Sequence, residues 1–198
     1  MRNSRIVPIA LILIIIAVAI AALISLGRAV FFPDASSETV SQLDSSREAL
    51  LNTTLEHSVT MTVRGPIVGD EQFRSYQVAI SPNSRTLTTY TGYIDRAIDQ
   101  ISLANNTPAY EEFVYALNRA NLVRGSELTG DKNDRRGVCS SGSVYEFAVL
   151  NAGKSVKTLW TTTCSSTKGS LNANVATLRL LFVDQIPKGQ SLINKVDL

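Results

Sequence analysis

Residues Ile6 to Leu26 constrain the whole chain: twenty-one in succession carry no charge and no amide. As an α-helix such a run spans about 31 Å, the thickness of a bilayer's hydrocarbon core. No other stretch of the sequence is long or apolar enough to cross a membrane. Arg2, Arg5 and the terminal amine precede the run, whereas Arg28 follows it and is soon balanced by Asp34 and Glu38. Basic residues bias orientation far more than acids do. The expected arrangement is a cytoplasmic tail over residues 1–5, a transmembrane anchor over 6–27 in the plasma membrane, and the C-terminal remainder outside. Pro8 falls in the first helical turn, where its missing N–H costs little. A cleaved signal peptide is the competing reading. Its apolar core runs about 7–15 residues, shorter than this one, although Gly27-Arg28-Ala29 is a passable cleavage site. Ala17, Ala21 and Ser25 fall four apart, which either lets two spans approach closely or reflects the ordinary abundance of Ala in such helices.

The part outside is neutral. Of the 19 Lys and Arg residues, Arg2 and Arg5 precede the run, leaving 17 against 17 Asp and Glu. A neutral ectodomain with no basic block argues against nucleic acid as a partner. A single His and two Cys cannot build a structural zinc site of four Cys or His ligands, and no cofactor is implied. The chain beyond residue 55 is long enough for one modest core.

Pro33 ends the apolar run-on of Ala29 to Phe32. Residues 28–54 read as a juxtamembrane stalk. Val40, Leu43, Leu50 and Leu51 give a helical stripe within it, capped at Ser36 or Ser37. That helix either leans on the domain or forms a short oligomerising stalk. The folded domain is expected over residues 55–187. Val59, Met61 and Val63 alternate with polar neighbours, the mark of a half-buried strand. Gly65-Pro66 and Gly69-Asp70 turn the chain. Tyr76, Val78 and Ile80 then share a face, and Leu87, Thr89 and Thr91 return on the matching one after the turn Pro82 to Arg85. Residues 94–106 have no decisive pattern. Thr107-Pro108 reads as a helix cap followed by Pro at the first position, with Glu111 and Glu112 in the first turn and Tyr110, Phe113, Val114, Leu117 and Ala120 on one face. Arg124 to Gly137 is a long polar loop.

A second hairpin joins Val144–Leu150 to Ser155–Thr163. A two-residue loop at Ala152-Gly153 sets Tyr145 against Trp160, Phe147 against Thr158 and Val149 against Val156. Ser170 is expected to cap a last helix bearing Val175, Leu178, Leu181 and Phe182, closed by Ile186-Pro187, with residues 188–198 a loose tail. Tyr76-Gln-Val-Ala-Ile and Tyr145-Glu-Phe-Ala-Val lie 69 apart, as do Arg85-Thr-Leu-Thr-Thr and Lys154-Ser-Val-Lys-Thr. This is either a ββα repeat or the likeness that any two hairpins share. The order β, ββ, α, ββ, α defines an α+β class: an N-terminal transmembrane helix, then an antiparallel sheet of about five strands with two helices on one face.

Several segments resemble a single-pass envelope protein family of reduced-genome bacteria. They are Val63-Arg64-Gly65-Pro66, Phe73-Arg74-Ser75-Tyr76, Arg85-Thr86-Leu87-Thr88-Thr89-Tyr90, Leu159-Trp160-Thr161-Thr162-Thr163-Cys164 and Phe182-Val183-Asp184-Gln185-Ile186-Pro187. The resemblance covers most of the ectodomain. It implies an envelope location and carries no activity, ligand or functional residue with it.

Candidate chemistry is sparse. His57 would have to serve any Ser-His-Asp site, yet no Gly-x-Ser-x-Gly pattern surrounds a serine, and a surface histidine is the plainer reading. Asp95 and Asp99 would share a face if their stretch were helical, which suits paired-carboxylate glycoside cleavage; solvated charges beside Arg96 are the alternative. The run Asp131-Lys-Asn-Asp-Arg-Arg-Gly begins like a calcium loop, but its sixth position is Arg136 and its twelfth Gly142, so no EF-hand forms. Arg135-Arg136 is either a solvated loop or a seat for an anionic wall polymer or phosphate headgroup.

Cys139 and Cys164 are the only cysteines. Placed outside, where thiols are not kept reduced, they are expected to pair. Extending the second hairpin sets Cys139 opposite Ser166 and Cys164 opposite Ser141, one diagonal step apart, so the bond needs some fraying beyond Val144. No activated nucleophile, metal cluster or phosphate loop is visible. The expected role is therefore a non-catalytic binding or assembly module of the cell envelope, partnered by an envelope protein or polymer. The alternatives are a hydrolase of envelope polymers using Asp95, Asp99 or His57, and a structural spacer.

Overall fold

The strand His57–Arg64 (β1) carries Val59, Met61 and Val63 on one face, all buried, and Ser58, Thr60, Thr62 and Arg64 on the other, all partly exposed. It forms the middle of a sheet to which both hairpins pair. The computed structural model describes residues 43, 45–165 and 167–196; the expected anchor, the tail before it and most of the stalk lie outside the described residues. Among the described residues no helix is long and apolar enough to cross a membrane. Arg74–Ile80 (β2), Ser84–Thr91 (β3) and Arg96–Ala104 (β4) lie to one side of β1, and Val144–Asn151 (β5) and Lys154–Thr162 (β6) to the other. The six strands are antiparallel throughout, in the order β4-β3-β2-β1-β5-β6.

The α+β class holds, with six strands where about five were expected. The added strand, β4, comes from the stretch without a decisive pattern. It is an edge strand, mostly exposed, and a register shift opposite Thr89/Tyr90 breaks its alternation.

The helices cover one face. Thr107–Arg119 (α1) buries Tyr110, Phe113, Val114 and Leu117, as its periodicity predicts. Its cap lies one residue earlier than expected: Asn106 Oδ1 accepts from the Ala109 amide at 3.0 Å. Pro108 therefore sits at the second helical position, and Glu111 and Glu112 fall beyond the first turn. Val175–Val183 (α2) is capped by Asn174, whose Oδ1 accepts from the Thr177 amide at 3.0 Å. Ser170, the expected cap, instead accepts from the Trp160 amide at 3.0 Å. The segment expected to be a loose tail forms a further helix, Gly189–Asn194 (α3), and Leu192, Ile193 and Val196 are buried. Two expected helices are thus three, since Leu192 and Ile193 complete the apolar cluster under β1–β3. Residues 45–51 are also helical, and Leu50 is fully buried in that cluster. The core thus reaches N-terminal of residue 55.

The second hairpin corrects the expected register. The Ala152-Gly153 turn, with φ of 49° and 75°, is the two-residue loop foreseen, and Asn151 pairs with Lys154. A β-bulge then intervenes: Leu150 pairs with Ser155 but Val149 with Lys157. Val156 is left without a partner, and every later pair moves by one. Trp160 lies opposite Glu146 rather than Tyr145, and Phe147 opposite Leu159 rather than Thr158. One residue of slip sends a side chain to the other face of the sheet.

The topology also decides between repeat and chance. β2 and β5 match in register, since Val63 lies opposite both Tyr76 and Tyr145, and Val59 opposite both Ile80 and Val149. They run parallel with the same face toward the core, but their hairpins extend in opposite lateral directions. Only a reflection relates such units, and no rotation superimposes them. The likeness is the shared period of two, shaped by a common template strand.

Two buried tyrosines make the core sensitive to base. Burial pushes the Tyr76 hydroxyl up to about 12, a shift that the neighbouring Arg179 only partly offsets, and burial raises Tyr110 as well. Unfolded tyrosine ionises near 10. A proton held more tightly in the folded state stabilises it fully below pH 10 and ceases to as pH rises toward 12. The urea midpoint is therefore expected to fall between pH 9 and pH 11, and to fall less in Tyr110→Phe. A midpoint that holds constant to pH 11 would show that these hydroxyls ionise freely in the folded protein.

Candidate functional site

The sheet face away from the helices carries the polar side chains of the alternating strands. Gln77, Thr62 and Glu146 lie across β2, β1 and β5 in one row, and Ser75, Arg64 and Val144 form the next. Gln77 Nε2 donates to Thr62 Oγ1 at 3.1 Å. These residues floor a groove of about 1030 Å³.

One wall comes from residues 124–143, which wrap around the β6 edge onto this face. The Glu127 carboxylate accepts from the Thr158 amide, Asn133 Oδ1 accepts from Trp160 Nε1 at 3.1 Å, and the Ser140 carbonyl accepts from the Ile67 amide at 2.9 Å. Arg135 forms an ion pair with Glu146. The Cys139–Cys164 disulfide closes the wall's base with the two Cα atoms 5.5 Å apart. Regular pairing of β5 with β6 stops at Val144 and Thr162, which gives the fraying that the bond requires; Ser166, the foreseen neighbour of Cys139, lies outside the described residues.

The opposite wall is the turn from Thr91 into β4. Tyr93 stacks on Phe73 with ring centroids 4.0 Å apart and planes 17° from parallel. Its hydroxyl donates to the Val68 carbonyl at 2.9 Å. Asp70 fixes the turn: its carboxylate accepts from the Tyr93 amide at 2.7 Å and pairs with Arg96 at 3.3 Å. Gly92 is needed here, since its φ is +75° and a Cβ would stand 2.9 Å from Asp70 Oδ1. Asp95, at φ 52°, closes the turn and receives both Arg64 Nη groups, at 3.3 and 2.9 Å. Ser75 Oγ donates to the same carboxylate at 3.3 Å.

The structure scatters most of the residues singled out in the sequence. His57 is buried rather than on the surface, with Nδ1 2.8 Å from Thr54 Oγ1 at the start of β1. Asp95 and Asp99 do not converge, because their stretch is turn and strand rather than helix: Asp95 pairs with Arg64, and Asp99 Oδ1 accepts from the Gln100 amide at 2.8 Å. Among the described residues no three His, Cys, Asp or Glu side chains gather as a cation site. The arginine pair divides. Arg136 turns back on Asp134, donating through Nε at 2.9 and 3.0 Å and through Nη2 at 2.5 Å. Those bonds hold the Asp134 carboxyl down at about 2. Arg135 faces the groove. Burial, and then the nearby Arg64 charge, lower its pKa.

Arg64, Gln77, Tyr93 and Glu146 belong to the groove and were not among the sequence candidates. The alternation of β1 placed Arg64 on its polar face, but which residues stand beside it depends on strand order. No protein-family model matches the chain, and no curated protein matches it.

Proposed function

We propose that the chain is a signal-anchored, single-pass protein of the plasma membrane whose C-terminal domain, outside the cell, binds an envelope partner in the sheet-face groove without chemical turnover. The resemblance to single-pass envelope proteins of reduced-genome bacteria fits this reading, as does the apolar run Ile6 to Leu26. The observation that carries it is the groove itself. Both walls are held by side-chain hydrogen bonds, ion pairs and a disulfide, and its polar groups are fixed in place before any ligand arrives. Preorganisation of this kind reduces the ordering cost of binding. The disulfide is the bond expected of a compartment where thiols are not kept reduced.

Two measurements test the reading. Protease added to intact spheroplasts is expected to digest the domain, and full protection until lysis would overturn the topology. The full chain is also expected to co-sediment with isolated cell-envelope polymer. Gln77→Trp fills the groove from the sheet face opposite the core and is expected to reduce that retention at least tenfold. Undiminished retention would remove the groove from the binding surface.

A further inference from the structure

We propose that the groove takes an acidic glycan, with a sugar ring laid on the open face of Tyr93 and a carboxylate or phosphate of the same saccharide held between Arg64 and Arg135. This rests on the reading of the groove as the binding surface. Two ion pairs line the groove, Arg64 with Asp95 and Arg135 with Glu146. Each guanidinium has one carboxylate partner, and across the gap between the two cations the Arg64 charge is near enough to lower the Arg135 pKa. The repulsion between them makes that gap the place where an added anion gains most. A guanidinium offers five N–H donors. Asp95 occupies Arg64 Nη1 and Nη2, and Glu146 sits against Arg135 Nη1. Arg135 therefore keeps donors for a planar or tetrahedral oxyanion, which guanidinium recognises in bidentate fashion.

The neutral part of the ligand follows from the other lining groups. Tyr93 lines the groove, is 45% exposed, rests one ring face on Phe73 and is tied at its hydroxyl, so its other ring face is held rigid and uncovered by Phe73. The negative ring face attracts the polarised C–H edges of a pyranose. Gln77 spends its Nε2 on Thr62 and keeps its carbonyl oxygen for a hydroxyl. A membrane surface is a poorer fit. No lysine lines the groove, and its cations sit in a concave site between two walls, which suits a single saccharide better than a flat sheet of headgroups.

The test titrates the full chain, in neutral detergent micelles, with four probes: a uronate hexasaccharide, a phosphate-bearing oligosaccharide of equal length, cellohexaose, and phosphatidylglycerol vesicles. At least one acidic glycan is expected to bind at least tenfold more tightly than cellohexaose, and to weaken as salt rises. Arg64→Gln and Arg135→Gln are each expected to weaken it about tenfold. Tyr93→Leu is expected to weaken acidic and neutral glycans alike, with thermal melts confirming that each variant is folded. Equal affinity for cellohexaose, binding to the vesicles alone, or binding of none of the probes would overturn the proposal. If Gln77→Trp releases the chain from envelope polymer while both arginine variants are retained in full, the groove reading stands and the acidic glycan falls.

Discussion

Trp160→Ala is expected to destabilise the domain by about 3–5 kcal/mol, the range for truncating a buried aromatic. The indole is 2% exposed although it lies on the face away from the helices. It is buried there because the wrapping segment covers it. Its Nε1 donates to Asn133 Oδ1 at 3.1 Å, its amide donates to Ser170 Oγ at 3.0 Å, and its carbonyl accepts from the Leu171 amide at 3.0 Å. Gly169 presses on the residue so closely that a Cβ would stand 2.0 Å from the Trp160 carbonyl oxygen. Truncation removes the apolar contact, leaves a cavity under the loop and gives up the bond to Asn133. Trp160→Phe keeps most of the ring, and the lost hydrogen bond alone is expected to cost about 1 kcal/mol. Urea unfolding of both variants separates the two contributions. A loss below about 1 kcal/mol for the Ala variant would mean that the loop does not seal this face. Because Asn133 also lines the groove, the Ala variant is expected to loosen the groove wall even at temperatures where the domain stays folded.

The sequence set Trp160 on the apolar face opposite Tyr145; it is buried instead on the other face, opposite Glu146 and beneath the wrapping segment. The Ala152-Gly153 turn sets the first two pairs correctly, and local turn chemistry reaches no further. A bulge depends on whether the sheet gains by turning a residue out, here Val156, which is 43% exposed. That trade is made in three dimensions: slipping by one brings Leu159 opposite Phe147 on the core face and gives Trp160 to the loop. β4 was hidden for a related reason. An exposed edge strand with a register break has no apolar face to alternate with, so Asp95 and Asp99 could be imagined on a helix. Ser170 was the expected cap, yet Asn caps equally well by type; the Trp160 amide claimed the Ser170 hydroxyl and Asn174 capped α2. Strong amphipathic signals survived: Val59, Met61 and Val63, and the buried face of α1, stand where the period places them. The groove was the least legible part. Arg64, Gln77, Tyr93 and Arg135 belong to four separate segments, and only the strand order together with the wrap around β6 brings them to one place.

Removing the disulfide is expected to cost the domain about 3.5 kcal/mol by loop-closure entropy, since the bond joins residues 25 apart in sequence. The pairing was foreseen from the position of the two cysteines, and the structure joins them without distorting the hairpin, whose regular ladder has already ended at Val144 and Thr162. What the bond holds is specific. Cys139 follows the stretch bearing Asn133 and Arg135, and Cys164 lies two residues past the end of β6, so the bridge ties the groove wall to the sheet it covers. Thr167 Oγ1 reinforces the same junction by donating to the Val138 carbonyl at 3.0 Å. Cys139→Ser with Cys164→Ser is therefore expected to lower the urea midpoint and, below the unfolding transition, to raise amide exchange selectively in residues 131–140. The single variant Cys139→Ser is expected to match the double variant in stability while exposing one thiol to alkylation. A non-reducing mass of the protein, isolated with thiols blocked, is expected to show no alkylated cysteine in the parent chain. Two alkylated cysteines would refute the bridge and weaken the proposal that the domain lies outside the cell.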